Sequence, residues 1–240
     1  MNTIGQKKEL SLLLPVYNEA SRIENCIRKL ESAIKRLSLS YEIIVTEDGS
    51  TDGTDDRVKN LLLSDSNLWL LHSSVRLGKG KAIKKAVEKA MGEIIVFMDA
   101  DLSTSLDYLP TLLQSVREQG GLAIASRHVE RSVVQRRASR TFFSLAYNLF
   151  VRLLFFDGVR DHQCGCKAMS RKAAKVVLET KSDGFFFDTE LILRCRKRGF
   201  LIKEIGVEWA ERRGKGESKV KLFRDAQLIG LDLLAYRLTG

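Results

Sequence analysis

The sequence predicts an α/β domain with a mostly parallel sheet covered by helices on both faces. Three observations lead there. Short continuous apolar runs recur at 10–16, 41–46, 67–72, 94–98 and 122–126. Segments with the period of an amphipathic helix separate them. Polar clusters follow the first four runs at their carboxyl ends. Strands buried on both faces read as unbroken apolar runs, and parallel strands need helical crossovers between them.

The elements follow in order. LSLLLPV at 10–16 is a buried strand. Ser21 and Glu24 have the spacing of a capping box, and Ile23, Ile27, Leu30, Ile34 and Leu37 behind them form one helical stripe. YEIIVT at 41–46 is the second strand, and Asp52 caps a helix running to about Leu63. NLWLLH at 67–72 is the third strand, followed by a helix over 78–91 with Ala82, Ile83, Ala86, Val87 and Ala90 on one side. IIVFM at 94–98, a helix near 107–118 and LAIAS at 122–126 complete the regular part; beyond residue 140 the alternation becomes irregular. One domain over residues 1–240 is expected, since no linker-like tract or repeat divides it.

Composition bounds the class. The chain has 240 residues, 44% hydrophobic and 29% charged, which is an ordinary globular balance. Four cysteines, Cys26, Cys164, Cys166 and Cys195, make no disulfide framework and fit a reducing cytoplasm. The first residues are polar and basic, without a signal-peptide core, and no stretch has the length and purity of a spanning helix. The net charge of +10 is compatible with nucleic acid, an anionic membrane surface or phosphorylated small molecules, and equally with a solvated basic surface. Without an aromatic-rich nucleic-acid motif, nucleic acid ranks last.

Ligands of open α/β sheets bind beyond the carboxyl ends of the strands. Four adjacent strand ends carry chemistry here: Tyr17-Asn18-Glu19, Glu47-Asp48-Gly49-Ser50, the run from Arg76 to Lys81, and Asp99-Ala100-Asp101. Two carboxylates two residues apart repel unless they share a cation, and all-oxygen ligation suits Mg²⁺ or Mn²⁺, which would also hold phosphate oxygens. Alone, such a pair would read as a turn; four clusters together describe a site. Asp48 is a candidate acceptor of hydrogen bonds from a base or ribose, whereas Asp52 reads as a cap. The run from Arg76 to Lys81 offers cations at a helix start, where free N–H groups attract anions, although it is neither a P-loop nor a dinucleotide fingerprint. Asp161-His162-Gln163-Cys164-Gly165-Cys166-Lys167 has no second pair at zinc spacing and reads as a tight packed loop. The apolar segments 141–156 and 222–238, each interrupted by charge, are either core helices or helices lying in a membrane interface.

These residues, in this order and spacing, resemble the successive motifs of the family 2 glycosyltransferases with the GT-A fold, a Rossmann-like nucleotide-diphospho-sugar transferase architecture. Ser126-Arg127, the loop from Arg160 to Lys167, Phe187-Asp188-Thr189-Glu190 and Glu217-Ser218-Lys219 resemble its dolichyl-phosphate glucosyltransferase and mannosyltransferase branch. The resemblance implies an inverting, metal-dependent hexosyltransferase. It uses a nucleotide diphosphate sugar, UDP-glucose ahead of GDP-mannose, and a polyprenyl or dolichyl phosphate; transfer to a glycan hydroxyl is the alternative. It implies that Pro15, Tyr17, Glu19 and Asp48 hold the base and ribose, that Arg76 and Lys79 lie near the nucleotide, and that Asp99 and Asp101 organise the metal and diphosphate, with Ser103 nearby. The resemblance further implies that Arg127 and one of Arg136, Arg137 or Arg140 bind acceptor or donor phosphate, that Asp161, Gln163 and Lys167 border the acceptor, and that Asp188 faces the reaction centre as the base a hydroxyl acceptor would need. Members of this branch often carry transmembrane helices, so this chain is expected to work peripherally, at the cytoplasmic face of a membrane.

Overall fold

A computed structural model describes residues 7–135, 138–212, 232–233 and 235–237. The chain runs β1 (Lys8–Val16), α1 (Ile23–Lys35), β2 (Tyr41–Asp48), α2 (Thr54–Leu62), β3 (Leu68–Ser73), α3 (Lys79–Lys89), β4 (Gly92–Met98), α4 (Leu109–Gln119), β5 (Leu122–Ser126), β6 (Val133–Gln135), α5 (Ala138–Phe155), β7 (Cys166–Ser170), α6 (Arg171–Ala174), α7 (Phe187–Lys197), β8 (Ile202–Gly206) and β9 (Glu208–Ala210). Short 3-10 turns at Leu106–Tyr108 and Lys175–Glu179 lead into α4 and follow α6.

Seven strands form one sheet in the order β3-β2-β1-β4-β7-β5-β8. All neighbours are parallel except β7, which is antiparallel to both β4 and β5. The early strands are buried along nearly their whole length because α3 packs on β1 and β2 while α4 packs on β4, β5 and β7. The order reverses direction between β1 and β4, the point at which open α/β sheets form a binding crevice beyond the strand ends.

The irregular second half acquires its meaning from β7. Running back between β4 and β5, it starts where β4 ends: Cys166 pairs with Met98 and Lys167 with Phe97, and the amide of Asp99 donates to Gly165 O at 3.1 Å. The 161–165 loop is thereby delivered to the Asp99–Asp101 turn. A parallel pair, β6 and β9, closes the same end: Ser105 N donates to Glu208 O at 3.0 Å and Ala210 N to Ser103 O at 2.9 Å.

Two expectations change. The capping box does not form: α1 begins after Arg22 without a side-chain cap, and Glu24 instead reaches Arg57 of α2 at 2.8 Å. The amides of Arg22 and Ile23 find a partner in Glu19 O, which leaves Glu24 for the interhelical pair. The 141–156 segment is a helix whose polar side faces in: Ser144, Asn148 and Val151 are buried, while Phe142, Phe143, Leu145, Leu149, Phe150 and Leu153 are exposed. Most of 222–238 and all of 217–219 lie outside the described residues; Leu233 is buried and Tyr236 packs edge-on against Phe155 and Phe186. No helix among the described residues is long and apolar enough to cross a membrane.

Candidate active site at the strand ends

The ends of β1 and β2 are tied into one wall. Asn18, in the left-handed region at φ 52°, donates its amide to Ser50 Oγ at 2.9 Å and accepts from Thr51 N at 2.8 Å. Glu19, buried, donates its amide to Thr54 Oγ1 at 2.9 Å, and its carboxylate meets Arg22 at 3.4 Å. Asp52 caps this wall by accepting from Ala20 N at 3.0 Å and Thr54 N at 3.1 Å. Burial opposes its ionisation, but these donors outweigh it and hold the carboxyl below the usual range.

Asp48, also buried, accepts from the amides of Leu77 and Gly78, the latter at 3.1 Å. It fastens the β3–α3 loop to β2, and a carboxylate so engaged still has lone pairs for a further donor. Gly49 makes this closure possible: a Cβ there would lie 2.6 Å from the backbone carbon of Val75. The loop places Arg76 over the ring of half-buried Tyr17, with the guanidinium carbon 3.9 Å from the centroid. Pro15, Tyr17, Glu19, Asp48 and Arg76 thus share one wall of the crevice.

The opposite wall is a chain of alternating charges. Lys167 is fully buried in β7; its ammonium donates to Asp188 Oδ1 at 2.6 Å and to Cys164 O at 2.7 Å. Asp188 opens α7 and is itself buried, and its other oxygen accepts from Lys79 at 3.0 Å. Lys79, at the start of α3, also meets Asp99 Oδ1 at 3.3 Å. The ring of Phe97 lies 5.5 Å from the Lys79 ammonium and 5.3 Å from that of Lys167. Burial alone would raise the Asp188 pKa, yet Lys167 and then Lys79 hold it below the usual carboxylate range. Asp99 is pushed the other way: burial raises it, Lys79 pulls against that, and the negative charges of Asp101 and Asp188 add to the push.

Asp99 and Asp101 share the turn after β4, and Asp101 Oδ1 accepts from Ser103 N at 3.0 Å. Among the described residues no three acidic, histidine or cysteine side chains gather into a self-sufficient metal cage. That donor set suits Mg²⁺ or Mn²⁺ bound with a substrate, because such ions take one or two carboxylates and fill the rest of their shell with water and phosphate oxygens. The negative charges of Asp101 and Asp188 beside Asp99 are what a shared cation would relieve. Gly165 fixes this carboxylate, since a Cβ at that position would stand 2.0 Å from Asp99 Oδ2.

Arg127 and Arg140, two of the candidate phosphate binders, are paired rather than open. Arg127 donates to Asp161 through Nε at 2.8 Å, Nη2 at 2.7 Å and its amide at 2.9 Å, which leaves Nη1 outside that fork. Its guanidinium lies 5.6 Å from the Trp209 ring. Glu204 holds the loop from below, accepting from Arg160 N at 2.8 Å and Asp161 N at 2.9 Å. Arg140 pairs with Glu211. Gln163 is half-buried in the same loop. Lys167, which the sequence set beside the acceptor, has its ammonium on Asp188 inside the fold. Arg136 and Arg137 lie outside the described residues. His162 is a packing residue, bonded to Asn148 at 2.9 Å and Asp157 at 2.5 Å, and burial pushes the Cys164 thiol up to about 11.

Some participants carried no sequence signal. Glu204 and Phe97 belong to strands and read as surface and core. Asp183 accepts from Gly80 N at 3.0 Å through its carbonyl and from Lys84 at 3.0 Å through its carboxylate, buttressing the start of α3. Gly165 was visible only as a loop glycine.

Known proteins resemble the chain in sequence and in fold. The sequence signature described as glycosyl transferase family 2 matches residues 11–178, more than half of the chain. The chain is 37% identical over 230 residues to glycosyltransferase AglD of Haloferax volcanii, covering 94% of this chain and 36% of that protein. It is 34% identical over 247 residues to the dolichyl-phosphate beta-glucosyltransferase of Mus musculus, covering 96% of this chain and 75% of that one. Among solved structures, glucosyl-3-phosphoglycerate synthase of Mycobacterium tuberculosis in complex with UDP superposes with a TM-score of 0.70 at 22% identity, over 96% of this chain and 80% of that one. Mannosyltransferase PcManGT of Pyrobaculum calidifontis, in complex with GDP-Man and Mn²⁺, gives 0.64 at 20% identity, over 98% and 65%. These structural likenesses are of fold. The chain spans about a third of the length of the AglD relative and about three quarters of the mouse one.

Proposed function

The chain belongs to glycosyl transferase family 2 and has the GT-A fold, and from that premise we propose that it transfers glucose from UDP-glucose to a polyprenyl phosphate of the dolichyl type, with inversion at the anomeric carbon. The observation that carries the acceptor class is Asp188. Both of its oxygens are held by ammonium groups, at 2.6 and 3.0 Å, and its pKa is depressed. A carboxylate in that state is a poor proton acceptor. A hydroxyl acceptor needs a base; a lipid monophosphate, already anionic near neutral pH, does not. The dolichyl-phosphate beta-glucosyltransferases among its relatives support the same choice.

In this reading the wall formed by Pro15, Tyr17, Glu19, Asp48 and Arg76 receives the base and ribose, with Asp48 keeping the Arg76–Lys79 loop in place. Asp99 and Asp101 would hold Mg²⁺ or Mn²⁺, and the ion would supply neutralisation of charge on the nucleoside diphosphate. Lys79, at the first turn of α3, faces the diphosphate. A phosphate oxygen of the acceptor bonds to the anomeric carbon as the bond to the diphosphate breaks, and UDP leaves. Arg127, oriented by Asp161, presents Nη1 to the acceptor phosphate; Gln163 borders it. Lys167 acts on this centre by fixing Asp188.

A lipid-borne phosphate is met at a bilayer, and the exposed apolar face of α5, with Arg152 exposed on the same helix, has the character of a helix lying in an anionic interface. We place the enzyme at the cytoplasmic face of a membrane, in peripheral contact.

The deciding experiment supplies radiolabelled UDP-glucose or GDP-mannose with dolichyl phosphate and Mn²⁺ or Mg²⁺, followed by solvent extraction. Metal-dependent label in the lipid phase from UDP-glucose is the expected result. Label only from GDP-mannose would replace the sugar. No lipid label, with folded and donor-binding protein, would replace the acceptor with a hydroxyl compound.

A further inference from the structure

Lys79 holds two carboxylates of different kinds. Asp188 is buried and keeps a second ammonium, Lys167, on its other oxygen. Asp99 has 45% of its side chain exposed, and beside Lys79 it meets the negative charges of Asp101 and Asp188. The two lysines differ as well. Lys167 is fully buried and tethered a second time, to Cys164 O, whereas the Lys79 side chain is 21% exposed at the first turn of α3.

From this asymmetry we infer that Lys79 is a placeholder cation. It neutralises Asp99 while the site is empty of donor, and it turns to the diphosphate, pivoting on Asp188, when metal and nucleotide arrive together. The inference rests on the metal-dependent donor reading above and adds a binding order to it. An ammonium 3.3 Å from Asp99 Oδ1 repels a divalent ion approaching the same carboxylate. Metal alone therefore binds weakly. A nucleoside diphosphate removes the obstacle because it gives the ammonium a better partner than Asp99; ammonium has three N–H donors, so the bond to Asp188 survives the turn. Lys167 keeps Asp188 in position meanwhile. The arrangement leaves the acidic pair neutralised between turnovers and couples metal loading to donor loading.

The test is Mn²⁺ binding, followed by the electron paramagnetic resonance of the free ion, with no acceptor and no turnover. Without nucleotide, Lys79→Met and Lys79→Gln are expected to bind Mn²⁺ at least about fivefold more tightly than the wild type, the low end of ordinary coupling between sites. Lys79→Arg, which keeps the charge, should remain weak. Adding UDP should tighten Mn²⁺ binding to the wild type by a larger factor than to either neutral variant. Neutral variants no tighter than the wild type would overturn the inference, as would a wild type whose Mn²⁺ affinity does not rise with UDP. Should the wild type bind Mn²⁺ with UDP while the neutral variants show no gain, only the placeholder role falls. Should it bind no Mn²⁺ even with UDP, or should Asp101→Ala leave binding intact, the metal assignment falls and this inference with it.

Discussion

Asp188 receives a hydrogen bond on each oxygen, from Lys167 and from Lys79, and the first of these lysines has no contact with solvent. Removing one partner of such a pair leaves a buried charge uncompensated, which costs about 3–5 kcal/mol. Asp188→Asn should lower unfolding stability by about that amount in urea denaturation, and adding Lys167→Met should restore part of the loss. Equal stabilities for the single and double variants would remove the structural role. The Arg127–Asp161 fork makes a pH prediction. Arg127 holds the Asp161 carboxyl far below the usual range against its burial. A depressed folded pKa gives stability that is complete above the unfolded value of about 3.9 and is withdrawn as pH falls through the folded one. Stability should therefore decline with acidification below about pH 4, and Asp161→Asn should make that slope shallower. Gly165→Ala concerns a third residue. A methyl group at 2.0 Å from Asp99 Oδ2 forces that carboxylate to move, so Mn²⁺ binding in the presence of UDP should weaken about tenfold or more, as for other lost supports of a metal ligand.

At the scale of elements, α5 inverts the usual rule. Ser144 and Asn148 face inward because Asn148 bonds His162 and Ser144 bonds His128, while Phe142, Leu149 and Leu153 face out. The sequence showed the apolar content of 141–156 but not which side it would present, since the buried side is chosen by partners far along the chain. β7 was illegible for a related reason. CKAMS is five residues long, contains a lysine, and becomes a central strand only because β4 and β5 supply edges on both sides. β1 to β5, by contrast, were legible as continuous apolar runs. The capping pattern at Ser21 misled because Glu19 O satisfied the helix start first. If α5 docks on a bilayer, Leu149→Glu with Leu153→Glu should abolish binding to anionic vesicles in a flotation assay. Stability should change by no more than about 0.5 kcal/mol per substitution, the ordinary range for exposed positions. Unchanged vesicle binding would free α5 of that role.

The molecule as a whole divides at β4. The parallel half carries the crevice wall that the motifs announced. The second half reaches the same strand ends through β7, and this explains why the acidic pair was legible while its supports, Lys167, Gly165 and Glu204, were not: their positions depend on one antiparallel insertion. Charge follows the same division. The site is lined by paired acids and lysines, whereas Arg152 of α5 and Arg131 and Arg160 elsewhere in the second half lie exposed, in a chain of net charge +10. A cationic surface near an anionic bilayer gains about 1 kcal/mol per basic residue within a Debye length, and salt removes that gain. Apolar insertion by α5 resists salt. The two contributions can be separated on one preparation: partitioning into vesicles containing phosphatidylserine should be strong at low salt and fall steeply toward about 0.5 M, and uncharged phosphatidylcholine vesicles should retain only the weak, salt-insensitive part that the α5 double substitution removes. Equal, salt-independent binding to both vesicle types would assign membrane contact to apolar insertion alone and leave the excess positive charge to the phosphates of the substrates.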